Sequence, residues 1–222
     1  MRIDIVSDVI CPWCFIGKRR LERALAARPD LDPEIHWRPF QLNPDMPAEG
    51  LDRRMYLSLK FGGEKRADQI YQAVAAAAES EGLNFALDKI VRTPNTITAH
   101  RLIRYADEIG KQGDVVEALF RGYFFDGRDI GDVGTLADIA GECGLERDTI
   151  QAYLESEDDV VQVRTEDDTA RRMGIHGVPC FIVDARYAVS GAQDPEVFQQ
   201  VFSVAEQAEA EGQPAGQIMM GG

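Results

Sequence analysis

Nowhere does the 222-residue chain hold an apolar run long enough for a helix to span a bilayer. Positive charge is scarce: 24 Lys and Arg stand against 38 Asp and Glu, a formal net charge of −14 and a sequence pI near 4.6. Such a surface repels nucleic-acid phosphates and anionic lipid heads, so neither nucleic acid nor membrane is an expected partner. Histidine is nearly absent, and His36, His100 and His176 show no ligand spacing. Cysteine is rare too. Cys11, Cys14, Cys143 and Cys180 include one close pair, which is no disulfide framework and lacks the second pair a structural zinc site would use. The opening MRIDIVSDVI is interrupted by Arg2, Asp4 and Asp8 and offers no small-residue cleavage site. It is not read as a signal peptide, and the expected location is cytoplasmic. What remains is an ordinary globular composition, 45% hydrophobic and 28% charged, enough for a packed core with room for one sizeable insertion.

Residues 2–6, RIDIV, alternate polar and apolar side chains and read as a short strand. Pro12 suits the first turn of a helix running to about Ala27, and EIHWRPF at 34–40 reads as a second strand. Residues 41–52, with two prolines and a glycine, read as a loop. Helical spacing then recurs over 64–81, 96–109, 114–126, 133–143, 146–155 and 157–173. After Gly177-Val178-Pro179, segments 180–184 and 187–190 read as a hairpin, and Asp194-Pro195 opens a last helix to about Glu211. The order βαβ, helical block, αββα predicts an α/β, thioredoxin-like fold. Its discontinuous core is residues 1–45 and 160–213, around a large all-helical insertion, 46–159, with 214–222 as a flexible Gly-rich tail.

Cys11-Pro12-Trp13-Cys14 stands where the first strand gives way to the first helix. There the free N–H groups and the helix dipole favour negative charge, which predicts an exposed Cys11 with thiolate character. Cys14, one turn further in, is expected to be shielded and to resolve a mixed disulfide on Cys11 by thiol exchange. Pro12 restricts the backbone, and Trp13 offers a substrate an apolar platform. A cytosolic CxxC beside a βαβ pattern reads as a redox pair, against half of a zinc site or two inert core cysteines. Gly177-Val178-Pro179 predicts a cis Val178–Pro179 bond, against an ordinary loop proline. The Val178 backbone would then lie against the dithiol and pair with an extended client.

DVICPWCFIGKRRLE at 8–22 and GVPCFIVDARYAVSGAQDPEVF at 177–198 resemble the DsbA-type thiol-disulfide oxidoreductases. NTITAHRL at 95–102 is similar to the branch named after the frenolicin-biosynthesis protein FrnE. The resemblance spans nearly the whole chain. It implies a thioredoxin fold with an inserted helical domain, Cys11 as nucleophile, Cys14 as resolving thiol and Pro179 as the cis proline. Kappa-type glutathione transferases and 2-hydroxychromene-2-carboxylate isomerases share the architecture but typically carry Ser at the nucleophile position. Cys11 with Cys14 retained favours disulfide exchange over that glutathione-dependent alternative. A redox-regulated binding or chaperone-like protein is the non-enzymatic alternative. The partners expected are disulfide-containing or thiol clients, protein or small molecule, with a homodimer among the admissible assemblies. No metal and no cofactor are expected, with glutathione admitted as a co-substrate.

Cys180, after Pro179, reads as a small buried hydrophobe, against a third thiol that traps mixed disulfides; Cys143 reads as core. His100 is a substrate- or glutathione-contact candidate whose simpler reading is a packed structural histidine. Trp37 and Phe40 read as core. Tyr123-Phe124-Phe125 reads as insert packing, with one face available to a cleft opposite Trp13. Lys18, Arg19 and Arg20 read as a solvated helix face whose charge would favour a nearby thiolate.

Overall fold

The computed structural model, which describes residues 1–212 and 219–220, opens with β1 (Arg2–Ser7), α1 (Pro12–Ala26) and β2 (Glu34–Pro39). Then come β3 (Leu51–Asp52), α2 (Arg53–Phe61), α3 (Glu64–Ser80), β4 (Arg92–Thr93) and α4 (Ile97–Glu108). Next are α5 (Gln112–Phe124), α6 (Val133–Glu142), α7 (Arg147–Glu155) and α8 (Val160–Arg172). The chain continues through β5 (Cys180–Val183), β6 (Tyr187–Ser190), α9 (Pro195–Ala210) and β7 (Met219–Met220).

Two compact units result: Met1–Leu42 with Glu166–Gly222, and Asn43–Thr165. In the first, a five-stranded sheet runs in the order β2-β1-β5-β6-β7. β1 and β2 are parallel, which requires the α1 crossover, while β5 pairs antiparallel with both β1 and β6. Strand alternation sorts the side chains. Ile5 stands opposite Phe181, whose ring packs edge-on against Phe198 of α9 at 4.8 Å. Val6 stands opposite Cys180, and with Ile182 and Ala188 these meet Ala170 and Ile175 on the other face. One face is therefore covered by α1 and α9, the other by the end of α8 and the chain just after it.

The junctions expected at 45/46 and 159/160 fall instead after Leu42 and after Thr165, inside α8. Contacts of the chain explain the shift. Asp8 Oδ2 accepts from Leu42 N at 2.8 Å and Asp167 Oδ1 from Gln41 N at 3.1 Å, so the core's own hydrogen bonds end at Leu42. Arg171 stacks over the Phe40 ring at 4.2 Å and Ala170 enters the core cluster, so the last turns of α8 belong to the core. The flexible tail expected over 214–222 lies largely outside the described residues; Met219–Met220 within it extend the sheet parallel to β6.

The helical unit departs from the sequence reading in two places. It is not all-helical, because β3 and β4 pair antiparallel, Leu51 with Thr93 and Asp52 with Arg92. Two-residue strands have no periodicity to read. The helix α2 is the second difference, and its ends carry signals: Asp52 Oδ1 accepts from Met55 N at 3.0 Å, and Gly62 closes the helix at φ 74°. Elsewhere in the unit Arg101, buried in α4, donates to the carbonyls of Tyr153, Leu154, Ser156 and Asp158. Two of these carbonyls, Tyr153 and Leu154, lie in the last turn of α7, and Ser156 and Asp158 follow it, so Arg101 ties α4 to the end of α7 and the chain just beyond.

Candidate active site

The dithiol sits where α1 begins. Cys11 is the N-cap, with extended backbone (φ −88°, ψ 113°), and Pro12 takes the first helical position, where no N–H is needed. Cys11 N donates to Asp8 O and Cys14 N to Cys11 O, both at 3.0 Å, so two short turns deliver the first sulfur and then the second. Cys11 Sγ donates to Val178 O at 3.6 Å, and the Val178–Pro179 bond is cis. Gly17 lets α1 approach that turn. A Cβ at this position would stand 3.0 Å from Pro179 Cγ and 3.0 Å from Phe181 Cζ.

Burial corrects one expectation. Cys11 is not exposed: at 4% it is nearly as enclosed as Cys14 at 1%, because the Val178 turn lies over it. Trp13, at 38%, is the side chain on the rim. Both sulfurs are free thiols. Burial first, then the hydrogen bond with Cys11 and the charge of Cys11, hold the Cys14 thiol well above its ordinary range, while Ser7 and the Asp8 backbone act the other way. This arrangement suits sequential chemistry, in which one sulfur reacts at a helix N-terminus while its neighbour stays protonated behind it.

Asp8 organises the turn into the site, and the sequence reading does not single it out. Asp8 is 0% exposed; its backbone makes the turn to Cys11, and its carboxylate holds Leu42. The available signal was a charged residue inside the apolar run from Ile5 to Ile10. Cys180 lies on the sheet face opposite Phe181, among Val6, Phe40, Ala170 and Ile182, and burial alone pushes its thiol up to about 11. Cys143 is half-buried at the end of α6 rather than in the core. Its thiol is pushed up first by burial, then by Asp114 and Glu142.

His100 is in the helical unit, buried on the face of α4 that also carries Ala99, Leu102 and Ile103. Tyr123 and Phe124 are fully buried in that unit, and Trp37 and Phe40 are buried in the core unit. The basic run on α1 is not a plain solvated face. Lys18 is buried and pairs with Glu22, Arg19 pairs with Glu22 and covers Phe15, and Arg20 reaches Ala192 O at 2.6 Å and Asp194 at 3.0 Å. Two cavities lie elsewhere: one of about 440 Å³ between α2 and α3, and one of about 430 Å³ on the α8 face of the core sheet. Neither is lined by Cys11 or Cys14.

A mixed sheet with helices on both faces, a dithiol at the first turn of its first helix and a cis-proline turn against the leading sulfur define a thioredoxin-type thiol protein. Residues 2–203 match the DSBA-like thioredoxin domain, and the chain belongs to that family. It is similar to the probable DsbA oxidoreductase SCO1869 of Streptomyces coelicolor, with 32% identity, 99% of this chain and 93% of that one covered, and a TM-score of 0.83. The uncharacterized protein YwbO of Bacillus subtilis (strain 168) is 27% identical over 211 residues, 91% of this chain and 96% of that protein. A putative protein disulfide isomerase from Nitrosomonas europaea shares the fold at 15% identity, with a TM-score of 0.72 and 93% and 97% of the chains covered. The protein is thus a thiol-disulfide oxidoreductase. Among the described residues, no helix is long and apolar enough to cross a membrane.

Proposed function

We propose that this oxidoreductase works in the cytoplasm through its dithiol, with Cys11 attacking and Cys14 resolving. The observation that carries the reading is the pairing of an N-cap thiol, held against the Val178 carbonyl, with a wholly buried second thiol whose ionisation is suppressed. The Cys11 thiolate attacks a client disulfide, forming a mixed disulfide and releasing one client thiolate. Cys14 then attacks Cys11 Sγ, closing the protein disulfide and releasing the second. Two electrons pass to the client; the reverse sequence oxidises a client dithiol. Trp13 and Pro12 form the apolar rim on which the client rests, and the Val178–Pro179 backbone holds it extended. Clients are disulfide-containing or thiol proteins or small molecules, with glutathione admitted as a co-substrate.

Replacing each cysteine tests this. Cys11→Ser should abolish both attack and turnover. Cys14→Ser should retain attack, accumulate a mixed disulfide seen on non-reducing electrophoresis, and lose turnover. Turnover at the wild-type level in Cys14→Ser would identify a glutathione-dependent isomerase or transferase instead.

A further inference from the structure

Arg53 opens α2 and carries a positive charge into the helical unit, where it is 6% exposed. Nη1 donates to Thr93 Oγ1 at 3.1 Å and to Tyr123 Oη at 3.2 Å, and Nη2 donates to Tyr71 Oη at 2.6 Å. The guanidinium also lies over the Tyr71 ring, 5.0 Å from its centroid. All these partners are neutral. Burial pushes the Tyr123 phenol up against the pull of Arg53, so that hydroxyl stays protonated. Among the described residues no carboxylate pairs with Arg53. Three of the five N–H donors of the guanidinium are spent on hydroxyls, which leaves Nε–H and one donor on Nη2. Those are nitrogens with which arginine grips a carboxylate two-pronged. The other deeply buried arginine, Arg101, meets four backbone carbonyls at the negative end of α7, so its charge is answered. Arg53 has no such answer, and a buried cation without opposite charge is costly to a fold.

The missing charge has room to enter. Arg53 and Tyr71 line the cavity of about 440 Å³ between α2 and α3, a volume suited to a small molecule. Thr93 and Tyr123 do not line it, so they hold Nη1 from outside the cavity. Leu57 of α2, Ala67 of α3, and Leu87 and Ile90 of the segment after α3 supply an apolar wall. At the exposed edge Asp52, Asp68 and Asp88 stand against Arg54. We propose that this cavity binds a small organic monocarboxylate, its carboxylate paired with the Arg53 guanidinium and its apolar body laid along Leu57, Leu87 and Ile90. The three edge carboxylates repel a second negative charge, which selects a monoanion over a phosphate ester or a dicarboxylate. The site lies wholly within the helical unit and does not depend on the dithiol reading.

Isothermal titration calorimetry of the full chain with octanoate and with octanamide, the same body without the charge, tests this. Octanoate should bind at a single site, and octanamide should bind about tenfold more weakly, the scale of a hydrogen bond to a charged group. Arg53→Gln should weaken octanoate about tenfold and leave octanamide unchanged, a split that a merely structural arginine would not produce. Leu57→Trp obstructs the cavity and keeps every hydrogen bond of Arg53, so it carries the test if Arg53→Gln does not fold. It should weaken both probes about tenfold, the loss of contact with about two methylenes, at an unchanged melting midpoint. Equal affinity for octanoate and octanamide overturns the proposal, because the charge of Arg53 is then not read. Octanoate binding unchanged in Leu57→Trp overturns it by placing the ligand elsewhere, and so does the absence of saturable octanoate binding up to about 1 mM. Inorganic phosphate binding as tightly as octanoate overturns the monocarboxylate assignment.

Discussion

Cys14 in α1 and Cys180 in β5 are equally shut off from solvent, each 1% exposed, yet they lie in unlike surroundings. Burial is the first cause raising both thiols, and for Cys180 it is the only one. Around Cys180 stand Val6, Phe40, Ala170, Ile175 and Ile182, an apolar set. Around Cys14 stand Cys11, Ser7 and the Asp8 backbone, each coupled to its charge. Burial alone therefore does not distinguish a redox thiol from a packed one; the polar neighbours do. The comparison would break if the two positions behaved alike in turnover. Cys14→Ser should cost at least about 100-fold in steady-state disulfide exchange, whereas Cys180→Ala should stay within about twofold and lose about 1 kcal/mol of stability, as small core deletions do. A turnover assay on both variants, with urea melts alongside, decides it.

The contrast also bears on what the sequence could reveal. Cys11 and Cys14 are adjacent in sequence and stand at a strand–helix boundary that hydrophobic alternation and Pro12 mark plainly, so the dithiol is legible. The hairpin is legible because both strands are short apolar runs separated by Asp184-Ala185-Arg186. Asp8 is not legible as a site residue, since its role depends on the turn to Cys11 and on a carboxylate bond to Leu42 N, contacts that packing alone reveals. The burial of Cys11 depends on Val178, 167 positions away, and no local pattern encodes that contact. The domain junctions are not legible for a related reason: α8 is continuous through Thr165, and only the contacts of Asp167, Ala170 and Arg171 separate its two ends.

The α1 face is packed to a tolerance that can be tested at Gly17. Alanine there would gain about 1 kcal/mol in helix propensity, but its Cβ would press on Pro179 Cγ and Phe181 Cζ at 3.0 Å. Phe181 cannot swing aside, because Phe198 holds it edge-on at 4.8 Å. Overpacking of this kind costs about 1–3 kcal/mol, so Gly17→Ala should be neutral to mildly destabilising and Gly17→Val should lose about 2–3 kcal/mol. Because the displaced turn carries the Val178 carbonyl that meets Cys11, the valine variant should also slow the first thiol attack. Denaturant midpoints and the alkylation rate of Cys11 report the two effects. A stable Gly17→Val with unchanged alkylation would show that α1 and the Pro179 turn are less tightly apposed than the 3.0 Å contacts require.

On the opposite face the titrating group is Asp4, and its pH dependence should run in the opposite direction to that of Cys14. Burial works to raise the Asp4 carboxyl, but hydrogen bonds and charge from Arg2 and Arg38 outweigh it and hold it below the ordinary 3.8. Arg2 Nη2 lies 2.9 Å and Arg38 Nε 2.8 Å from Asp4 Oδ1. A carboxyl depressed in the folded state binds its proton more weakly there than in the unfolded chain. Its stabilisation is therefore fully present above about pH 4 and is lost as pH falls through the folded value. Cys14, raised above its ordinary 9.0, has the reverse behaviour: its contribution is present below that value and is lost as pH rises. Asp4→Asn should cost about 1 kcal/mol at pH 7, the usual scale for a partly exposed ion-pair cluster. The gap from wild type should close at about pH 2, below the carboxyl range. Carboxyls elsewhere titrate in both proteins and cancel in the difference. Urea midpoints of reduced wild type and Asp4→Asn, measured from neutral to acid pH, give the curve. A gap that persists unchanged in acid would mean that Asp4 contributes by shape and neutral hydrogen bonding, not by charge, and the two faces would then not be set apart by their titrating groups.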